Sequence, residues 1–407
     1  MTFLIAHYDR LNIALAMPLI AVEQGWDSAQ TATNGSLLMG LFYAGFGIAN
    51  IFLSPVGKRV GARKSLIVML LLWSLFTAMG ALASQVLVLL MASRVLLGLS
   101  EGIHPPMMNQ LTNDWFAPSE RSRANSTWMA GLFLSILSAP IVLVPIMERF
   151  GWRAGFYALA IGGLLISLPL VLLYVHDKPT THPRVSSELA AKLEAAAHYE
   201  STADGSPWRL FRRPSFALLM AAGTINNMVA LGIASWLPTY LAGLQGVRYA
   251  DLTYLAAIPY AASVAGLALW AVIGDKTNRR SIVAGAGYLV AGAIAVGALI
   301  AGNQNIVWLS VALFSLAVFF VSAHTASEFA IVQRIVPRGQ IASGVGLFNG
   351  FTTMIGGGFG PYVLGGIIDG GAGIGDLVVL FSLCATISVS VSYTHLRAHE
   401  TSRAIAV

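Results

Sequence analysis

Four ionisable side chains sit inside apolar stretches of this chain, in two pairs whose spacing fits chemistry. Asp9 and Arg10 adjoin in "AHYDRLNIAL", and Arg94 and Glu101 stand seven residues apart in "ASRVLLGLSEGIHPP". Seven residues are two helical turns, so Arg94 and Glu101 share a face, roughly 10 Å apart. A charge in hydrocarbon costs several kcal/mol unless it is paired or faces a polar cavity, and such charges mark substrate and proton pathways. The planar fork of a guanidinium matches a carboxylate, which makes Arg10 the candidate anchor for an anionic substrate. In a buried carboxylate, desolvation favours the protonated form and a neighbouring guanidinium the ionised form, so a shift of helices moves the balance. Asp9 and Glu101 are therefore candidates to take up and release protons, with Arg94 tuning Glu101. The competing reading is a static network of interhelical ion pairs.

Further candidates surround these four. Glu328, in "AHTASEFAIVQ", is either another proton or substrate group or the partner of Arg334 in a salt bridge. His104 lies one turn beyond Glu101, as a proton relay or a packing histidine. Asn349, in "GLFNG", offers a donor and an acceptor to a hydroxylated ligand, or glue between helices. Lys58 and Arg59 in "SPVGKRVGARK", and Asp275 and Lys276 in "AVIGDKTNRR", can lock a closed state by pairing with neighbouring helix ends. They can equally serve topology alone. Gly358 and Pro361, in "GGGFGPYVLGG", allow close approach and bending of one helix.

The elements that must position these residues are membrane spans. The chain has 407 residues, 56% hydrophobic and only 10% charged, with a mean hydropathy of +0.72. Soluble domains carry about 25% charged residues, so a polytopic, all-α membrane protein is expected. The net charge of +6 is confined to alternate loops, which argues against nucleic acid. A lone cysteine, Cys384, leaves no disulfide framework or thiolate metal site. There is no nucleotide loop, metal cluster or nucleophile–base pair, so neither an enzyme nor a cofactor is expected.

Apolar stretches fall near 2–22, 34–56, 65–84, 87–111, 124–147, 153–175, 214–243, 250–274, 281–301, 305–333, 341–368 and 376–392. They make twelve spans, of which the first and last read as shortened. The polar linker 176–213, with a surface helix in "SSELAAKLEAAAHYE", divides a six-helix bundle at 1–175 from another at 214–392. Residues 393–407 lack a helical pattern and read as a non-native tail. No basic leader of a cleavable signal peptide precedes the first span. Lys58, Arg59, Arg63, Lys64, Arg121 and Arg123 share one side with Lys276, Arg279, Arg280, Arg334, Arg338 and the linker. By the positive-inside rule, that side and both termini face the cytoplasm. The two basic loops repeat one another, and Pro140 and Pro361 occupy the fifth and eleventh spans. Paired six-span repeats are the layout of a carrier that holds substrate between its halves.

With these stretches in place, the chain resembles the anion:cation symporter branch of the major facilitator superfamily, which includes galactonate, hexuronate and glucarate transporters. The resemblance runs from residue 8 to about 376 and rests on "YDRLNIALA", "RVLLGLSEGIHPP", "DWFAPSERSRA", "GWRAGF", "WLPTYL", "GLFNG" and "GPYVLGGIID". It implies proton handling at Asp9 and Glu101, modulation by Arg94, substrate carboxylate on Arg10, and sugar hydroxyls on Asn349. Departures bear on the substrate. Phe46 and Asn50, with Tyr43 a turn earlier, stand where sugar-acid members tend to have tyrosine and glutamine. Gly223 replaces an expected glutamine, although Asn226 and Asn227 are close by, and Ala326 and Phe329 stand for a serine and a tryptophan. Aromatic or less hydroxylated acids thus stay open beside sugar acids. The expected protein is a monomeric, proton-gradient-driven importer of a small organic anion in a bacterial cytoplasmic membrane. A proton-independent anion exchanger and a transporter-like ligand sensor remain as alternatives.

Overall fold

The structure, a computed structural model, describes residues 1–116, 120–182, 185–186, 188–189, 207–277, 280–336 and 341–368. The stretch 376–392, the tail from 393, Cys384 and most of the linker helix lie outside them, as do the side chains of Lys58, Asp275 and Arg334.

Among the described residues the regular elements are all helical, and nine helices are long and apolar enough to cross a membrane. They are the second (Ser28–Gly57), third (Ala62–Leu82), fourth (Leu87–Trp115), fifth (Thr127–Phe150), sixth (Trp152–Tyr174), seventh (Pro214–Ala242), eighth (Tyr249–Gly274), ninth (Ile282–Asn303) and tenth (Val307–Glu328) spans. The first span, Thr2–Gln24, is 23 residues long. At 1.5 Å per residue it reaches about 35 Å, enough for a hydrocarbon core of about 30 Å. The eleventh runs through Ile341–Thr352 and Gly358–Ile368. Large apolar side chains such as Leu75, Leu134, Leu165 and Trp308 face outward, as a lipid solvent requires.

Local chemistry fixes where the helices begin, break and end. Gly25, left-handed at φ 66°, closes the first span. Asp27 then opens the second with a capping box, its carboxylate accepting from Gln30 N at 2.7 Å. In the fourth span Pro105 and Pro106 cannot donate to the carbonyls of Glu101 and Gly102. The helix accordingly breaks into Leu87–Glu101 and His104–Trp115, with Glu101 at the break. Wider π turns interrupt the second span at Ala49–Leu53, the sixth at Gly163–Ser167 and the eleventh at Thr353–Gly357. Such single turns occur often beside functional sites.

Small residues set the helix approaches. A β-carbon added at Gly98 would meet the carbonyl of Phe42, so the fourth span lies directly on the second. The second and eleventh spans meet across the halves in the same way, with Gly40 against the carbonyl of Gly358 and Gly47 against Met354. At the end away from the basic loops, Ser36 Oγ and Trp236 Nε1 both donate to the Pro361 carbonyl, at 2.8 and 2.7 Å. Tyr249 donates to Leu15 O at 3.0 Å there. Also at that end, Arg153 forks onto Glu23 at 2.8 and 2.5 Å and reaches Ser84 Oγ at 2.9 Å. At the basic end, the Asp177 carboxylate accepts from Arg63 N at 2.7 Å and caps the third span, beneath Gly61 at φ 101°.

Candidate functional site

The first-half charges are gathered inside one helix bundle. Asp9 and Glu101 are fully buried and Arg94 is 1% exposed, whereas the Arg10 side chain keeps 14% of its surface. Arg10 Nε donates to Glu101 Oε2 at 3.1 Å, a charge-assisted bond between the first and fourth spans. Its guanidinium lies 4.3 Å from the Phe46 ring centroid, within cation–π range. Arg10 Nη2 and Glu101 Oε1 have no hydrogen-bond partner among the described atoms, so both groups retain capacity for a ligand. His7 completes the contact set. Its Nε2 accepts from Arg10 Nη1 at 3.2 Å and its Nδ1 donates to Phe3 O at 2.8 Å, an arrangement met by the neutral imidazole.

Asp9 faces away from Arg10, into the third span. Its Oδ2 accepts from Trp73 Nε1 at 2.5 Å and from Thr77 Oγ1. Arg94 does not pair with Glu101. Its Nε donates to the Leu38 carbonyl at 3.3 Å and its guanidinium stands 5.0 Å from the Phe42 centroid. The close second–fourth packing at Gly98 turns Arg94 toward the second span, where a main-chain oxygen receives it. His104 lies near Thr2, with Nε2 to Oγ1 at 3.3 Å, and packs against Phe3.

The other candidates divide. Tyr43 is buried against Gly357 of the eleventh span, and Asn50, in the π turn of the second, lies beside Gly350. Asn349 is partly exposed on the same face of the eleventh helix as Thr352, whose hydroxyl donates to its carbonyl at 3.4 Å. Asn227 donates to Thr352 Oγ1 at 3.0 Å. Tyr43 and Asn50 therefore lie at the junction of the two halves, whereas the bonds of Asn227 and Asn349 stay within the second half. Glu328 is not brought to Arg10. It is buried within the second half, where Asn226 Nδ2 donates to Oε2 at 3.4 Å. Gly358 and Pro361 take part in the second–eleventh contact, and Arg59 and Lys276 are exposed at the basic end. Among the described residues no group of His, Cys, Asp and Glu is placed to hold a metal ion.

Sequence reasoning passed over Trp73, Thr77 and His7. Trp73 and Thr77 are four residues apart, one turn on one helix face, and that spacing is the only signal the third span gives.

Known proteins share this arrangement of helices and sequence. The family model described as "Major Facilitator Superfamily" matches residues 1–361. The hexuronate transporter of Bacillus subtilis (strain 168) is 28% identical, over 90% of this chain and 85% of its own length. The probable L-galactonate transporter of Escherichia coli (strain K12) is 26% identical, over 96% of this chain and 86% of its own. Among solved structures, a bacterial homolog of the human lysosomal transporter Spinster superposes with a TM-score of 0.76 at 18% identity. That match covers 97% of this chain and 96% of the other, and it concerns the fold.

Proposed function

Because the chain belongs to the Major Facilitator Superfamily, we propose that it imports a small organic anion, of the sugar-acid class or a related carboxylate, by proton symport through alternating access. The hexuronate and galactonate names of its relatives support organic-anion transport. The membrane is the cytoplasmic membrane of a bacterium, with the basic loops inside.

The observation that carries the proton step is the bond from Arg10 to Glu101 at 3.1 Å. A substrate carboxylate and the Glu101 carboxylate compete for one guanidinium. A proton on Glu101 removes its claim, and Arg10 then presents its fork to the substrate. Release of that proton restores the internal pair and expels the anion. Proton uptake and substrate binding become one event, and no long-range signal is required. Asp9 supplies a second titratable carboxylate held by Trp73 and Thr77. Arg94, beside Phe42, keeps positive potential over both acids. Tyr43 and Asn50 from the first half, and Asn349 and Asn227 from the second, supply the polar groups for the rest of the substrate. The ends joined by Ser36, Trp236 and Pro361 must part to admit substrate from outside.

The test is uptake of labelled glucuronate and galactonate into proteoliposomes, with and without an uncoupler, together with counterflow by Glu101→Gln. Symport predicts that the uncoupler abolishes accumulation, and that Glu101→Gln loses accumulation while retaining counterflow. Uptake that survives the uncoupler and accelerates with the same acid preloaded inside would make the protein an exchanger.

A further inference from the structure

The two halves carry matching positions, of which the substrate site uses only one set. The sequence spacing that separates Gly57 from Gly274 in the basic loops also separates Asp9 from Asn226 and Arg10 from Asn227. In the first half, Asp9 is bonded by Trp73 and Thr77 of the third span, and Arg10 reaches Glu101 of the fourth. In the second half, Asn226 Oδ1 accepts from the Tyr288 hydroxyl of the ninth span, and Asn226 Nδ2 donates to Glu328 of the tenth. The first, third and fourth helices of each half thus hold corresponding clusters. One contains two acids and two guanidinium groups. The other has amides in place of the Asp–Arg pair and keeps a single carboxyl group.

We propose that Glu328 is a second proton-binding site, carried by the C-terminal half and separate from the Asp9–Glu101 cluster. The proposal rests on the symport reading, to which it adds one transported proton. Glu328 is 5% exposed and sits within a helix bundle. Asn227, in the register of Arg10, turns instead to Thr352. The described groups around Glu328 belong to the seventh, ninth, tenth and eleventh helices. Asn226 and Gly223 belong to the seventh span, and Phe348 of the eleventh crowds the same glycine. Tyr288 of the ninth packs its ring 5.4 Å from that of His324, one turn before Glu328 on its own helix. Among the described side chains, which do not include that of Arg334, no lysine or arginine lies within ion-pair distance of it.

A carboxylate whose described partner is a neutral amide costs several kcal/mol in such surroundings, and the ligand that removes its charge is a proton on one carboxyl oxygen. The amide of Asn226 can donate to either form, so the cluster keeps its geometry whether the proton is present or absent. Tyr288 fixes that amide by binding its oxygen, which leaves the nitrogen directed at Glu328. Burial closes the group to substrate, and the amide partner leaves it free to titrate.

The deciding experiment measures the proton-to-glucuronate ratio in proteoliposomes. The pH gradient is varied at fixed membrane potential, and the substrate gradient that stops net flux is recorded. Glu328→Gln is expected to lower the ratio by one proton, and Glu328→Asp to restore it. A Glu328→Gln protein that transports with the wild-type ratio overturns the proposal and leaves Glu328 as interhelical glue. A second readout covers a variant that folds without transporting. In purified protein, infrared difference spectra across pH should lose one titrating carboxyl band in Glu328→Gln and a different one in Glu101→Gln. Loss of no band in Glu328→Gln also overturns it. Failure of the symport reading has its own signature, a wild-type ratio indifferent to pH, and the infrared band then still decides whether Glu328 binds a proton.

Discussion

Ser36 and Gly365 stand side by side across the two halves, so that a β-carbon on Gly365 would lie 2.7 Å from Ser36 Oγ. The contact joins the second and eleventh spans at the end away from the basic loops, alongside the bond from Ser36 to the Pro361 carbonyl. A disulfide needs its two β-carbons only a few ångströms apart, and a β-carbon on Gly365 in contact with Ser36 Oγ, one bond beyond the Ser36 β-carbon, lies within that reach. Ser36→Cys with Gly365→Cys, in a background where Cys384 is replaced by serine, is expected to cross-link on mild oxidation. The cross-linked protein should lose uptake and regain it on reduction. A pair that never cross-links in membranes would mean that these ends stay apart.

Arg10 is expected to be the most sensitive position for substrate. Arg10→Lys keeps the charge and loses the planar fork, so KM for a transported acid should rise at least tenfold, about 1.4 kcal/mol. Phe46→Leu removes the ring 4.3 Å from the guanidinium and should cost less, about 0.5–1 kcal/mol. Concentration-dependent uptake by the two variants checks the order. Equal KM values for wild type and Arg10→Lys would remove Arg10 from the carboxylate site.

Asp177→Ala should cost stability and leave substrate affinity alone. The carboxylate caps the third span through Arg63 N, far from Arg10 along the helices. Loss of such a cap costs about 1 kcal/mol, and Asp177→Asn should recover most of it. Thermal unfolding in detergent, set beside KM for uptake, separates the two effects. A changed KM with unchanged Tm would contradict a capping role.

The Glu23–Arg153 pair should contribute little. Its side chains are 35% and 30% exposed, which places the bond among surface ion pairs of about 1 kcal/mol or less. Arg153→Ala should lower Tm slightly, and the difference should shrink in high salt. The fork onto Glu23, the contact to Ser84 and the Trp152 bond together set the upper end of that range.

Much of the site was legible because charges inside apolar runs announce themselves. Asp9, Arg10, Arg94 and Glu101 needed only composition and helical spacing to be singled out. Their pairing did not follow from spacing. Arg94 and Glu101 share a face, yet Arg94 ends on the Leu38 carbonyl, because Gly98 lets the second span slide in close. That contact is a property of two backbones, and it leaves no residue pattern. Trp73 escaped notice because an indole in an apolar run reads as packing. The π turns were equally silent: the sequence at Ala49–Leu53 contains nothing that distinguishes it from an ordinary helical turn. Glu328 was visible as a charge. Its neighbours Asn226 and Tyr288 required the packing of the seventh, ninth and tenth spans.

The bond between Trp73 and Asp9 gives the protein an optical reporter of its own. An indole N–H on a carboxylate sits in a different electrostatic field from one on a neutral acid, and indole emission follows that field. Eight other tryptophans would mask the signal. In a chain stripped of them, fluorescence from Trp73 would register each proton that reaches or leaves Asp9, in real time and without a label.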